Sequence, residues 1–107
     1  MRLYLDDIRT PKHDYNFIAR SYEDAIEYVK SNNIPSFISF DHDLGIDEFN
    51  ELLPTGYDFA KWLVEMDMND EYQIPDNFTF NVHSANPVGK ANIESYLNNY
   101  LNFRKNK

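Results

Sequence analysis

Apolar and polar positions follow two patterns along the chain, and each pattern predicts a different element. Short apolar or alternating runs predict β-strands at residues 3–5, 17–19, 37–40 and 78–82. After each of the last three strands, apolar side chains recur at spacings of three and four residues, which is typical of amphipathic helices. The pattern therefore predicts four strands and three helices.

Each predicted helix begins at a recognisable start signal. Ser21 has the position of a capping residue before the first helix, which we expect to end near Asn32. Thr55 predicts the cap of the second helix, and we expect that helix to fray into a loop over residues 66–70. Asn86, followed by a proline at the first helical position, predicts the start of the third.

Strands that alternate with helices predict parallel strands joined by right-handed crossovers. The first two strands are an exception, because residues 6–16 are too few for a full crossover helix. No internal repeat, low-complexity segment or Gly/Ser-rich linker divides the sequence. We therefore expect a single α/β domain over residues 1–107, an open parallel sheet of about four strands with flanking helices.

The composition supports a folded domain rather than a disordered chain. Of the 107 residues, 42% are hydrophobic and 16% are aromatic, which is enough to fill a core. The absence of cysteine excludes disulfides, thiolate metal sites and cysteine nucleophiles. The aromatic side chains fall at helix and strand spacings, so we assign them to the core.

The charge balance restricts the partners that the protein can bind. A net charge of −8 and an isoelectric point near 4.6 disfavour binding to duplex nucleic acid, which depends on basic surface. Residues 1–7 reach charged side chains too early for a signal peptide, and no apolar run is long enough for a membrane helix. We expect a bacterial cytoplasmic protein, or one of the host cytoplasm if a phage encodes it.

Three predicted strands end at polar residues that a parallel sheet would bring to one edge. Asp6 and Asp7 follow the first strand, Asp41 and Asp43 follow the third, and His83 follows the fourth. Carboxylates gathered in this way repel one another, so we predict that the four aspartates bind a divalent cation. Carboxylate oxygens suit Mg²⁺, Mn²⁺ or Ca²⁺, and we favour Mg²⁺ or Mn²⁺. For Asp7 and Asp43, a plain turn-forming aspartate is an open alternative.

The segment after the fourth strand has the features of an anion site. Ser84, Asn86 and Gly89 lie where a strand meets a helix start, and free amides and the helix dipole attract anions there. Lys90 and Arg9 could add positive charge for a phosphate. Alternatively, the serine and the asparagine only satisfy backbone groups, and Arg9 neutralises a neighbouring aspartate.

Two histidines are candidates for general acid–base catalysis, because imidazole titrates near neutral pH. We favour His83, which lies where a strand meets the predicted anion site. Side chains alternate along a strand, so His42 could point away from Asp41 and Asp43 and be structural. His13 lies in the first loop and is assigned to the surface.

These residues, in this order, resemble the response-regulator receiver fold, which is flavodoxin-like. Asp6 and Asp7 match its metal-binding acidic pair, Asp41 matches the phosphoacceptor position, and Ser84 matches the hydroxyl after the fourth strand. A closer resemblance is to the cyclic-phosphate processing receiver domain family. The segments that carry it are LYLDDIRTP at 3–11, ISFDHDLG at 38–45, TGYD at 55–58 and VHSANPVG at 82–89.

The resemblance implies a role in processing cyclic phosphates, and our first hypothesis is an enzyme, a metal-dependent phosphoesterase that hydrolyses a cyclic phosphate. Its substrate would be a 2′,3′-cyclic phosphate at an RNA end or a cyclic nucleotide. Asp6, Asp7 and Asp41 would hold the cation, with Asp43 as a further ligand, and His83 would be the general acid or base. In an alternative mechanism, Asp41 is a nucleophile that forms an aspartyl-phosphate.

The sequence also departs from an ordinary receiver, which has a helix after its first strand and ends with a lysine-bearing fifth strand and a fifth helix. Here the chain ends after the helix that starts at Asn86, so we expect a receiver-like fold that lacks the final strand-helix unit. Without that lysine, phosphotransfer signalling through Asp41 is disfavoured. The alternative to an enzyme is a non-catalytic module that binds a phosphorylated ligand or protein partner.

Overall fold

The computed structural model describes residues 1–106. Four parallel strands form one open sheet in the order β2-β1-β3-β4, and three helices accompany them. This receiver-like α/β architecture confirms the predicted fold class. The elements are β1 (Arg2–Leu5), β2 (Phe17–Ala19), α1 (Tyr22–Asn32), β3 (Phe37–Phe40), α2 (Gly56–Met68), β4 (Thr79–Val82) and α3 (Pro87–Lys105).

The three predicted caps are confirmed, and each one bonds an amide in the first helical turn. Ser21 accepts from the amide of residue 24, and Asn86 accepts from the amide of residue 89. Thr55 forms a complete capping box with Asp58 at the start of α2. These side chains satisfy amides that have no partner inside the helix, which fixes where each helix begins.

The predicted fraying over residues 66–70 is wrong for residues 66–68, which belong to α2, whereas residues 69 and 70 form a turn after the helix. Asp67 secures this end of the helix through contacts with distant parts of the chain. Its carboxylate accepts hydrogen bonds from the Ile74 amide and the Tyr100 hydroxyl, and it pairs with the Arg104 guanidinium at 3.3 Å. The local sequence gives no sign of these partners, so the hydrophobic pattern alone underestimates the length of α2.

All three helices pack on the same face of the sheet. The connections from β2 to β3 and from β3 to β4 run in one direction across the sheet, so right-handed crossovers place α1 and α2 together. α3 in turn packs against α2. The apolar side chains beneath them form the core, with Leu3, Leu5, Ile38 and Phe40 fully buried.

The opposite face of the sheet is covered by the loop at residues 6–16, which joins β1 to β2 without a helix, as predicted. Tyr15 of this loop lies against Tyr4 with ring centroids 5.1 Å apart, and the Arg2 guanidinium lies over the Tyr15 ring at 4.7 Å. Side chains alternate along each strand, so Tyr4 and Ser39 face this side. Both are buried although no helix covers them.

The carboxyl ends of the strands meet at one edge of the sheet, where α2 and α3 also begin. Residues 44–54 form a loop at this edge, pinned by an antiparallel bridge between Ile46 and Leu52. Among residues 1–106, no helix is both long and apolar enough to span a membrane.

Candidate functional site

Asp6 is the most completely bonded side chain at this edge. It is fully buried, and its Oδ1 accepts hydrogen bonds from the amides of Ile8 at 3.0 Å and Arg9 at 2.8 Å. Its Oδ2 lies 3.0 Å from His83 Nε2 and 3.3 Å from Arg9 Nε. Burial would raise the pKa of Asp6, but these hydrogen bonds and the Arg9 charge outweigh it and lower the pKa.

His83 is held on both ring nitrogens. Its Nδ1 lies 2.7 Å from the Ser39 hydroxyl, and its Nε2 faces Asp6. The ring also stacks on Tyr4, with centroids 4.5 Å apart and planes only 3° from parallel. Because a carboxylate only accepts, Nε2 carries a proton, and we assign Ser39 as the donor to Nδ1. The Asn81 amide donates in turn to the Ser39 oxygen at 3.4 Å.

Asp41 retains a free carboxylate oxygen. It is 5% exposed, and its Oδ1 accepts a hydrogen bond from the His42 amide at 2.8 Å. No described residue donates to its Oδ2. Burial, with the neighbouring negative charge of Asp6 as the second cause, raises the pKa of Asp41. This carboxylate is thus both poorly neutralised and available to a ligand.

His42 and Asp43 form a pair beside this carboxylate. His42 Nδ1 lies 3.0 Å from Asp43 Oδ1, so the prediction that His42 could point away from Asp43 is wrong. The Asn86 amide donates to the other Asp43 oxygen at 3.4 Å, which ties the pair to the start of α3. The hydrogen bond from His42 lowers the pKa of Asp43, chiefly because it stabilises the charged form.

Two glycines allow the close packing around this pair. A Cβ atom added to Gly89 would lie 2.3 Å from His42 Cγ, so the imidazole rests directly on the first turn of α3. A Cβ atom on Gly56 would lie 1.8 Å from the Asp41 carbonyl oxygen, so α2 starts against the backbone of the same segment. The amide of Gly56 donates to the His42 carbonyl at 2.8 Å. The turn after β3 is therefore clamped between two helix starts.

The predicted metal ligands divide into two groups. Among the described residues, Asp6, Asp41 and His83 bring one possible ligand atom each to within 4.8 Å of one another. Asp7 and Asp43 lie outside this group. Asp43 is bonded to His42 and Asn86 instead, while the Asp7 carboxylate lies beside Gly45 in the loop after β3.

The predicted phosphate ligands are also unequal in what they can offer. The amide of Gly89 is taken by Asn86, and the amide of Asn86 is taken by the Ser84 oxygen at 3.0 Å. The Ser84 hydroxyl still has its hydrogen to donate. Arg9 pairs with Asp6 and donates to the His83 carbonyl at 3.1 Å, with 48% of its side chain exposed. Lys90 is exposed on α3.

Sequence reasoning missed four residues that shape the site. Ser39, Tyr4 and Asn81 position His83, and Arg20 donates to the backbone carbonyls of residues 6 and 9. Alternation along β3 places Ser39 on the same face as Asp41, which is a signal that could have found it. The pairing of Ser39 with Asn81 depends on the register of β3 and β4, which no local pattern reveals.

The free oxygen of Asp41 fits a hard divalent cation. Mg²⁺ binds proteins through one or two carboxylates and keeps water and phosphate oxygens as its other ligands. Asp41 supplies one such oxygen, and a cation there would relieve the repulsion from Asp6. Asp6 itself would become a direct ligand only by releasing Arg9 or His83, because both of its oxygens are already bonded.

Comparison with known proteins agrees with this arrangement. No curated protein and no solved structure matches the chain. A family model described as "Cyclic-phosphate processing Receiver domain" matches residues 1–99. This match covers almost the whole chain, and the chain also has a receiver-like sheet with acidic residues at the ends of its strands. The chain therefore belongs to the cyclic-phosphate processing receiver domain family.

Proposed function

We propose that this protein is a phosphoesterase that hydrolyses a cyclic phosphodiester to a phosphomonoester at the carboxyl edge of its sheet. The family supports a role in cyclic-phosphate processing. The observation that carries the proposal of an enzyme is the free Oδ2 of Asp41. It is the one carboxylate oxygen of the Asp6, Asp41 and His83 group that no described residue has bonded.

Asp41 would hold a divalent cation, Mg²⁺ or Mn²⁺, with the charge of Asp6 close by. When bound, the cation would neutralise phosphate oxygens and lower the pKa of a bound water. The Ser84 hydroxyl and the exposed part of the Arg9 guanidinium supply donors for the phosphate. Arg20 holds the carbonyl of Arg9 and so keeps the first loop in place.

Exposed apolar side chains around this edge suit a ligand that carries more than a phosphate. Ile8, Phe49, Leu52 and Val88 are each at least 70% exposed, and they lie on the loops after β1 and β3 and at the start of α3. A nucleobase would supply the apolar surface that such side chains bind. The net charge of −8 disfavours a long polyanion, so we propose a nucleotide or a short RNA end as the substrate.

A binding module without turnover is the second candidate. The observation that favours it is that both carboxylate oxygens of Asp6 and both ring nitrogens of His83 already have hydrogen-bond partners. Groups bonded in this way can have a structural role and need not take part in a reaction. Such a module would recognise the cyclic phosphate and release it unchanged.

An assay of turnover separates the two candidates. The protein is incubated with Mg²⁺ or Mn²⁺ and with nucleoside 2′,3′-cyclic phosphates, 3′,5′-cyclic nucleotides and cyclic oligonucleotides, and monoester formation is followed. We expect turnover that requires the cation and is lost in Asp41→Asn. Asp14→Asn is the matched control, because Asp14 is an exposed aspartate of the first loop. Saturable binding with no turnover of any substrate would overturn the enzyme and support the binding module.

A further inference from the structure

We propose that His42, oriented by Asp43, is the general base of the reaction, and that His83 is a structural residue. This inference rests on the proposed hydrolysis of a cyclic phosphate. It assigns to Asp43 the role of a positioning residue in place of the predicted role of a metal ligand.

The hydrogen bond between His42 and Asp43 fixes the form of the imidazole. A carboxylate has no proton to donate, so the 3.0 Å contact places a proton on Nδ1 and leaves the lone pair of the neutral ring on Nε2. This is the arrangement in which an aspartate prepares a histidine to act as a base.

The Nε2 atom of His42 is available to a ligand. It has no hydrogen-bond partner among residues 1–106. It is also not enclosed, since the one enclosed side-chain polar atom without a partner in that range is the Tyr28 hydroxyl. The Nε2 atom of His42 is therefore an unused acceptor at the surface, on the same ring as the Nδ1 atom that is bonded to Asp43.

The surrounding structure holds the ring in one orientation. Its face lies on Gly89, where any larger residue would displace it, and Asp43 is held from the other side by the capping residue Asn86. The backbone amide of His42 donates to Asp41 Oδ1. The free Nε2 of His42 and the free Oδ2 of Asp41 therefore belong to side chains of the same turn. Such preorganisation is what a catalytic base requires.

His83 lacks these features. Its Nε2 proton points at Asp6, its Nδ1 is occupied by Ser39, and its ring is stacked on Tyr4. To accept a proton from water, it would have to abandon one of these contacts. The geometry therefore reverses the order in which the sequence ranked the two histidines.

The proposed step adds one water across one phosphorus–oxygen bond. The lone pair of His42 Nε2 takes a proton from water as the water oxygen bonds to phosphorus. The bond from phosphorus to one ring oxygen breaks, and that oxygen leaves with the electron pair. The imidazolium then returns the proton from Nε2 to the leaving oxygen, which regenerates neutral His42 and yields a monoester and a free hydroxyl.

The test compares three variants on a nucleoside 2′,3′-cyclic phosphate in the presence of Mg²⁺ or Mn²⁺. We expect His42→Gln to lower kcat by about 10²–10⁴-fold, which is the range for general acid–base catalysis, with little change in KM. Asp43→Asn should lower kcat as well, because an asparagine amide can donate to Nδ1 and so move the ring proton to Nε2. His13→Gln is the matched control, since His13 is an exposed histidine of the first loop, and it should retain full activity.

A second measurement reports the imidazole directly. Nitrogen NMR of the ring should show the proton of neutral His42 on Nδ1 in the unmodified protein and on Nε2 in Asp43→Asn. An active protein in which His42→Gln keeps its kcat, or in which the His42 proton resides on Nε2, would overturn this inference and leave the proposed function intact. A protein that turns over none of the substrates would overturn the proposed function itself, and with it the base.

Discussion

The two histidines that follow β3 and β4 occupy opposite kinds of environment. His83 follows β4 and has both nitrogens bonded, to Ser39 and Asp6, with Tyr4 stacked on its face. His42 follows β3 and has one nitrogen bonded, to Asp43, while the other is free. Their side chains are almost equally exposed, at 15% and 16%, so exposure does not distinguish them. The difference lies in hydrogen bonding.

Proximity to a carboxylate is therefore a poor guide to the role of a histidine. Each histidine has one ring nitrogen 3.0 Å from a carboxylate oxygen, but the second nitrogen of His83 is also bonded, to the Ser39 hydroxyl. His42 has a single carboxylate partner, which is enough to orient the ring without occupying it. The same contrast separates Asp6, whose oxygens are all bonded, from Asp41, which keeps one oxygen free.

The largest expected effect is on stability, at Asp6. Asp6→Ala leaves the part-buried amides of Ile8 and Arg9 without their acceptor and removes the partner of His83. We expect the free energy of unfolding in urea to fall by about 3–5 kcal/mol, because several donors lose their acceptor at about 1–3 kcal/mol each.

Asp43→Ala is the control for this comparison, because the Asp43 side chain is 54% exposed and its hydrogen bond with His42 lies at the surface. It should change the free energy of unfolding by less than about 1 kcal/mol. Equal losses of unfolding free energy in the two variants would contradict the assignment of a structural role to Asp6 and a functional role to Asp43.

The next effect is on activity, at Gly89. Gly89→Ala would place a methyl group within the His42 ring, so the imidazole must move while the helix is kept. A displacement of about 1 Å can cost about 10²-fold in rate, and we expect a fall in kcat of that order.

The proof that this loss acts through His42 is a double variant. In the His42→Gln background, Gly89→Ala should cause almost no further loss of kcat. If the two losses simply multiply, Gly89 acts on the reaction by another route and the proposed role of the ring is contradicted.

A smaller effect is expected at Ser39. Ser39→Ala removes the hydroxyl that bonds His83 Nδ1 and leaves that part-buried nitrogen without a partner. We expect a loss of about 1–3 kcal/mol in the free energy of unfolding, with kcat retained within a few-fold. Ser31→Ala, at an exposed serine of α1, is the control and should be close to neutral. A Ser39→Ala protein that is stable but inactive would favour His83 as the base.

The smallest effect is on the pH dependence of stability, at Asp41. Its pKa is raised in the folded protein above the ordinary 3.8, so the charged carboxylate destabilises the fold at neutral pH. Asp41→Asn should therefore raise the unfolding midpoint at neutral pH in metal-free buffer. The gain should disappear as the pH falls below the unfolded value, where both states are protonated. A gain that is the same at every pH would show that the charge is not its cause.

The fold was largely predictable because its signals are local. Residues 37–40 are apolar except for Ser39, and Ser21, Thr55 and Asn86 each cap a helix within their own turn. The end of α2 was not predictable, because Asp67 is held by residues 7 to 37 positions away along the chain. Local patterns predict where a helix begins more reliably than where it ends, because distant contacts can extend the end of a helix.

The candidate site was predictable as a location but not as a set of bonds. Strand ends placed Asp6, Asp41 and His83 together, as the structure has them. Which donors and acceptors already have partners depends on contacts between strands, such as the hydrogen bond of Ser39 with His83. A local sequence pattern does not reveal such contacts. For that reason the metal set of four aspartates and the preference for His83 remain sequence predictions that the observed bonding does not favour.

The most direct test of the account measures two variants side by side, His42→Gln and His83→Gln, for both kcat on a nucleoside 2′,3′-cyclic phosphate and the unfolding midpoint. We predict that His42→Gln loses about 10²–10⁴-fold in kcat with a nearly unchanged midpoint. His83→Gln should lower the midpoint and leave a much larger share of the activity in the molecules that remain folded. The opposite pattern, a stable but inactive His83→Gln and an active His42→Gln, would show that His83 and not His42 is the base.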